Sequence, residues 1–159
     1  MHGRPVSASQ VVMSRVMQPM DANPMGNIHG GLILRLMDET GGVAAIRHCR
    51  SRVVTASIDS FSFLHPVFVG DFVTVKASVN WVGRSSLEVG VRVEAESLRT
   101  GEVTHTSSGY LVYVSLDEHN VPKPVPPLIA ETEEDRRHMA EAEKRQEARL
   151  RSRRRKEEM

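Results

Sequence analysis

A chain of 159 residues suits one compact domain with an appendage, and is long enough to bury most of the surface its unfolded form would expose. Its 21 Lys and Arg stand against 20 Asp and Glu, so the net charge of +1 gives no global field that would draw it to nucleic acid or an anionic membrane. Cys49 is the single cysteine, which excludes an internal disulfide and a multi-cysteine zinc site and fits a reducing compartment.

The opening MHGRPVSASQVVMSRVM has neither the apolar h-region nor the small-residue cleavage site of a secretory signal. Arg35 and Asp38 interrupt the greasiest stretch far short of a membrane span, so the chain reads as soluble and cytoplasmic. Val11 to Met17 predicts a short first strand, ended by Pro19 and by the turn chemistry of DANPMGN. From Gly30 to Cys49 the apolar residues Leu32, Ile33, Leu36, Met37, Val43, Ala44 and Ile46 recur at helical spacing over about five turns.

After this helix the period falls to two, as expected of strands with one buried face. Val54 to Leu64, Phe72 to Val82, Ser86 to Leu98 and Val103 to Leu116 each alternate, most cleanly as Leu87, Val89, Val91, Val93 and Ala95 with Glu88, Arg92, Glu94 and Glu96 between them. Breaks fall at HPVFVGD, VGRSS and RTGE, and the last two are short enough for antiparallel hairpins. The expectation is an α+β fold in which a five-stranded, mainly antiparallel sheet buries its apolar face on one long helix. Residues 1–128 form this domain. Residues 129–159 follow the connector VPKPVPPL as a charged, partly ordered helical tail, acids first and bases last, with too few apolar residues to fix it on a core.

On a helical wheel Asp38 falls beside the apolar margin that carries Leu34, Gly41 and Ala45, away from Arg35 and Glu39. Gly41 and Gly42 follow one turn later. Each costs about 1 kcal/mol relative to alanine inside a helix, so the backbone is being kept bare for a ligand or a second subunit. Before the helix, NIHGG leaves unpaired N–H groups at a helix start, where the dipole also favours an oxyanion; a plain tight turn accounts for Gly30 and Gly31 as well.

The run DANPMGNIHGGLILRLMDETGG, continued by RHCRS, VVTASIDSFSFLHPVFVGD, VGRSSLEVGVRVEAESLRTGE and YLVYVSLDE, resembles the brain-type cytosolic acyl-CoA hydrolase branch of the hotdog-fold thioesterases over Val11 to Leu128. The resemblance implies a sheet wrapped around a central helix, subunits paired edge to edge with active sites between them, at least a homodimer, and commonly a trimer of dimers. It makes Asp38 one catalytic residue and Asn23, from the facing subunit, another. It also sets the GRSS turn, Arg84, Ser85 and Ser86, beside the channel for coenzyme A.

Hydrolysis of a thioester needs a positioned attack and donors for the oxyanion, and no metal. On this reading the N–H of Gly31, with Gly30 beside it, takes the oxyanion, Asp38 is general base or nucleophile, and Asn23 holds the water or carbonyl. His29 adjoins the oxyanion turn as a donor or as helix-start packing, and His65 with Pro66 shapes a nearby loop. No cofactor is expected beyond the CoA of the substrate. The histidines show no metal-ligand pairing, and no Gly-x-Ser-x-Gly elbow occurs. A non-catalytic acyl-CoA sensor and an enoyl-CoA hydratase are the alternatives within the same fold.

Overall fold

The computed structural model describes residues 1–159. A two-residue strand β1 (Arg4–Pro5) and a 3-10 turn lead into β2 (Val11–Val16); the central helix α1 (Gly30–Cys49) comes next. Strands β3 (Arg52–Phe63), β4 (Phe72–Val82), β5 (Ser86–Glu96) and β6 (Val103–Leu116) follow, then β7 (Leu128–Ile129) and a second helix, α2 (Glu133–Glu157). The large sheet runs β2-β4-β5-β6-β3 and is antiparallel throughout. Its inner face carries Val73, Val75, Ala77 and Val79 from β4, Leu87, Val89, Val91 and Val93 from β5, and Leu111 and Tyr113 from β6. These close on Ile33, Met37, Ala44 and Ala45 of α1 in one core. The period-two residues of β5 thus point where alternation says they must. No helix is long and apolar enough to cross a membrane.

Three features depart from the sequence-based expectation. Val43 and Ile46, assigned to the apolar arc of α1, stand exposed, because the curved sheet of one copy covers only part of that arc. The proline-rich connector is pinned: β7 pairs in parallel with β1, and the Val125 N–H donates to the Arg84 carbonyl. The third departure concerns the tail. A capping box at Thr132 and Asp135 starts α2, and the helix then packs across the outer face of the sheet through charge rather than apolar area. Glu88, expected among the solvated residues of β5, is fully buried beneath it. Arg145 donates to Glu88 from Nη2 at 2.7 Å and from Nε at 3.1 Å, and Arg149 bridges Glu88 and Asp59. The Arg145 guanidinium also lies 3.6 Å over the Tyr110 ring, and Trp81 donates to Glu143.

Candidate active site

Asp38 sits half-buried on α1, facing the outermost strand of the sheet. Its Oδ1 accepts from Thr55 Oγ1 of β3 at 2.7 Å and from the Tyr113 hydroxyl of β6 at 3.0 Å. The same hydroxyl lies 2.9 Å from the Asp38 backbone carbonyl. Oδ2 has no protein donor, so one carboxylate oxygen is fixed and the other is free. Thr55 carries no signal in the strand pattern, and its role is visible only once β3 folds back beside α1. The bare backbone at Gly41 also has an internal explanation: a Cβ there would stand 2.6 Å from the Tyr113 hydroxyl, so the group that approaches is this chain's own phenol. A Cβ on Gly42 would meet the same ring at an ordinary 3.9 Å.

Asn23 lies in the loop before α1. Its Oδ1 accepts from the N–H of Met25 at 2.9 Å and of Asn27 at 3.3 Å, and its backbone N–H donates to the Asn27 carbonyl. Gly26, at φ +94°, makes the turn that permits this. The carboxamide NH2 is left as the free donor. Below the turn, Asp21 is pinned by both oxygens to Arg15 Nη2 at 2.8 and 2.9 Å and by the Gln18 N–H, while its carbonyl receives the His29 N–H. This ties the loop to the helix start.

Asn23 and Gly30 share a hollow of about 340 Å³ whose apolar wall includes Ile28, Ile33, Phe63 and Val67. A Cβ on Gly30 would come within 2.9 Å of the tip of the Phe63 ring, so any larger residue there would have to displace that exposed ring. Gly31 opens elsewhere, onto a hollow of about 410 Å³ lined by Met20, His29, Leu32 and Arg35. No side chain caps the amides at the start of α1. His29 is exposed and serves as the N-cap residue.

The GRSS turn closes the β4–β5 hairpin through the Gly83 N–H and the Ser86 carbonyl, and the Ser85 carbonyl receives the Ser115 N–H. Ser86 borders a groove of about 820 Å³ between the sheet and α2. The Arg84 side chain is exposed. Cys49 is buried, and burial pushes its thiol up, which leaves it inert. His48 is fully buried; its Nε2–H donates to the Pro126 carbonyl at 2.8 Å and Nδ1 has no partner. No three residues among His, Cys, Asp and Glu come together as a metal site.

Asp38 lies eight residues beyond Gly30, a rise of about 12 Å at the helical pitch, so the two cannot meet at a single carbonyl within one copy. β3, which supplies Thr55, ends the sheet with one edge unpaired and with Val54, Ile58 and Phe63 exposed along it. A long apolar edge of that kind calls for another strand.

The Thioesterase superfamily profile matches residues 25–102. An uncharacterized acyl-CoA thioester hydrolase of Bacillus subtilis is 41% identical over 127 residues, which span 80% of this chain and 74% of that one. The cytosolic acyl coenzyme A thioester hydrolase of Mus musculus is 33% identical over 138 residues, 86% of this chain but 36% of that longer protein. Among solved structures, an apo-hexameric acyl-CoA thioesterase matches with a TM-score of 0.92 at 40% identity, covering 96% of this chain and 97% of the other. An acyl-CoA hydrolase from Staphylococcus aureus, solved with butyryl coenzyme A and coenzyme A, matches with a TM-score of 0.90 at 30% identity, covering 98% and 94%. Structures of that enzyme also exist with alanine in place of an asparagine, of an aspartate fifteen positions later and of a threonine seventeen beyond that. Asn23, Asp38 and Thr55 stand at the same two spacings. The sheet wrapped on its central helix and these likenesses agree: the chain belongs to the thioesterase superfamily and has the hotdog fold.

Proposed function

We propose that the protein hydrolyses acyl-CoA thioesters to a free carboxylic acid and coenzyme A, at sites completed by two copies of the chain. The observation that carries this is the Asp38 carboxylate, held by Oδ1 with Oδ2 free, beside an unpaired sheet edge and about 12 Å along α1 from the Gly30 N–H. One copy supplies Asp38 and Thr55, and the other supplies Asn23 and Gly30. In the reaction, water adds to the thioester carbonyl, the C–S bond breaks, and the thiolate leaves as CoA. The Gly30 N–H and the Asn23 amide donate to the oxygen that gains charge, a geometry in which fixed dipoles act without reorganising. Gly31, on its separate hollow, is the weaker candidate for that role. Asp38 acts through Oδ2 in one of two ways: it takes a proton from the attacking water and passes it to the departing thiolate, or it adds to the carbonyl itself, expelling the thiolate and forming an acyl anhydride that water then hydrolyses to the free acid. The apolar wall beside Asn23 suits the acyl chain, His29 stands near the incoming thioester, and the exposed Arg84 with Ser85 and Ser86 suits the phosphates of CoA.

This chemistry needs no cofactor. The hexameric relative supports a trimer of dimers here, and the cytosolic mouse relative supports a cytoplasmic location; membership of the brain-type branch rests on the sequence blocks that resemble it. Residues 1–128 would form the catalytic domain and 129–159 an appended helix. The test is release of free thiol from acyl-CoA substrates of increasing chain length by wild type and Asp38→Ala. The proposal expects turnover by the first, and loss of turnover with retained CoA binding by the second. Thiol release unaffected by Asp38→Ala would refute the assignment. No release from any substrate would leave a sensor, and loss of enoyl absorbance from crotonyl-CoA without thiol release would indicate a hydratase.

A further inference from the structure

Two donors converge on one oxygen of Asp38, and the second of them, Tyr113, reaches it from inside the core. Tyr113 is 2% exposed and therefore touches no substrate. Its hydroxyl spans the Asp38 carbonyl at 2.9 Å and Oδ1 at 3.0 Å, so it ties the side chain to its own backbone and fixes the Asp38 rotamer. The helix gives up stability to admit it: Gly41 is buried mid-helix, where alanine is the favoured residue, and an alanine Cβ would lie 2.6 Å from that hydroxyl. We propose that Tyr113 is a positioning residue for thioester hydrolysis: seated in the gap left by Gly41, its phenol clamps Oδ1 of Asp38 so that Oδ2 is presented to the scissile carbonyl. This rests on the reading of Asp38 given above. Burial and the neighbouring Asp38 charge push the phenol's pKa well above its usual value, so it keeps its proton and remains a donor throughout the working pH range.

The contact has a steric signature that separates positioning from mere packing. Removing the hydroxyl leaves the ring's Cζ as the nearest atom to an alanine Cβ at 41, at 3.4 Å, an ordinary contact. The measurement is kcat, KM and melting temperature for Y113F, G41A and the double variant on one acyl-CoA, with CoA binding followed in parallel. Y113F should lower kcat about ten- to a hundred-fold, with KM changed less than about two-fold, since a hydrogen bond to a charged group is lost away from the substrate. G41A should lower kcat similarly with the phenol still present, by forcing it off the carboxylate. The double variant should be no slower than Y113F and should melt higher than it, because alanine then fits the helix. Undiminished kcat in either single variant, or losses that multiply in the double, would overturn the proposal. If Asp38→Ala abolishes turnover while Y113F does not, only the role of Tyr113 falls; if Asp38→Ala is itself active, the hydrolytic reading falls first.

Discussion

Replacing Glu88 with Gln keeps the volume beneath α2 and removes the charge that two arginines grip. Glu88 is fully buried, while the Arg145 and Arg149 side chains are 21% and 15% exposed, so the pairs sit where screening is weak. Breaking such a buried pair by neutralising one partner costs about 3–5 kcal/mol, most of it from cations left without their anion. Against this, the apolar hold of α2 is small: Ala142 is its one fully buried residue and Met139 packs only partly on the core, together worth about 2 kcal/mol. The loss exceeds this apolar hold, and the other contacts of α2, Arg149 to Asp59, Trp81 to Glu143 and Arg145 over Tyr110, are partly open to solvent and add little each. E88Q should therefore release α2 while leaving the sheet and α1 folded. Limited trypsin digestion followed by mass spectrometry reads this directly, since α2 carries many arginines and lysines. The wild-type helix should resist, whereas the variant should be cut from Arg136 onward with residues 1–128 intact. A variant helix as resistant as wild type would show that the ion cluster is not what holds α2.

Thr55→Val should lower kcat about ten-fold or more while Thr55→Ser largely preserves it, because the hydroxyl donates at 2.7 Å to Asp38; steady-state kinetics on both variants checks this. Burial holds the His48 imidazole below its ordinary value of 6.5, partly opposed by its bond to the Pro126 carbonyl and reinforced by the Arg4 charge. The unfolded chain then takes up the proton first, so this contribution to stability is level above pH 6.5 and is lost as the pH falls from there through the lowered folded value. The melting temperature of wild type should therefore fall more steeply below that pH than that of His48→Gln, which keeps a donor for Pro126. Cys49, buried with its thiol pushed up, should resist a disulfide reagent in the native protein and react once the chain is denatured, which a two-stage thiol titration reads.

The elements with a long, clean period were legible in the letters. Gly30 to Cys49, Phe72 to Val82 and Val103 to Leu116 fold over the spans that their spacing predicts, and the inner face of β5 is the one its alternation names. Contacts between distant segments were not legible. Glu88 is read as solvated because period two sends it outward, and nothing local reveals that Arg145 and Arg149, 57 and 61 residues later, will cover it. The two-residue strands β1 and β7 are too short to show any period. At the site, Asp38 stood out as an acid on an apolar margin, and Gly41 as a costly residue beside it. The partner that explains Gly41 is Tyr113, whose hydroxyl meets Asp38 across 75 residues, and it looks in the sequence like any inward residue of a strand.

The most direct test of a site shared between copies is to mix two inactive variants, Asn23→Ala and Asp38→Ala, by co-expression and to measure thiol release. If Asp38 of one copy works with Asn23 of another, each mixed dimer carries one intact site, and random pairing restores about a quarter of wild-type activity. If both residues serve the same copy, mixing restores nothing, and that result would contradict the account.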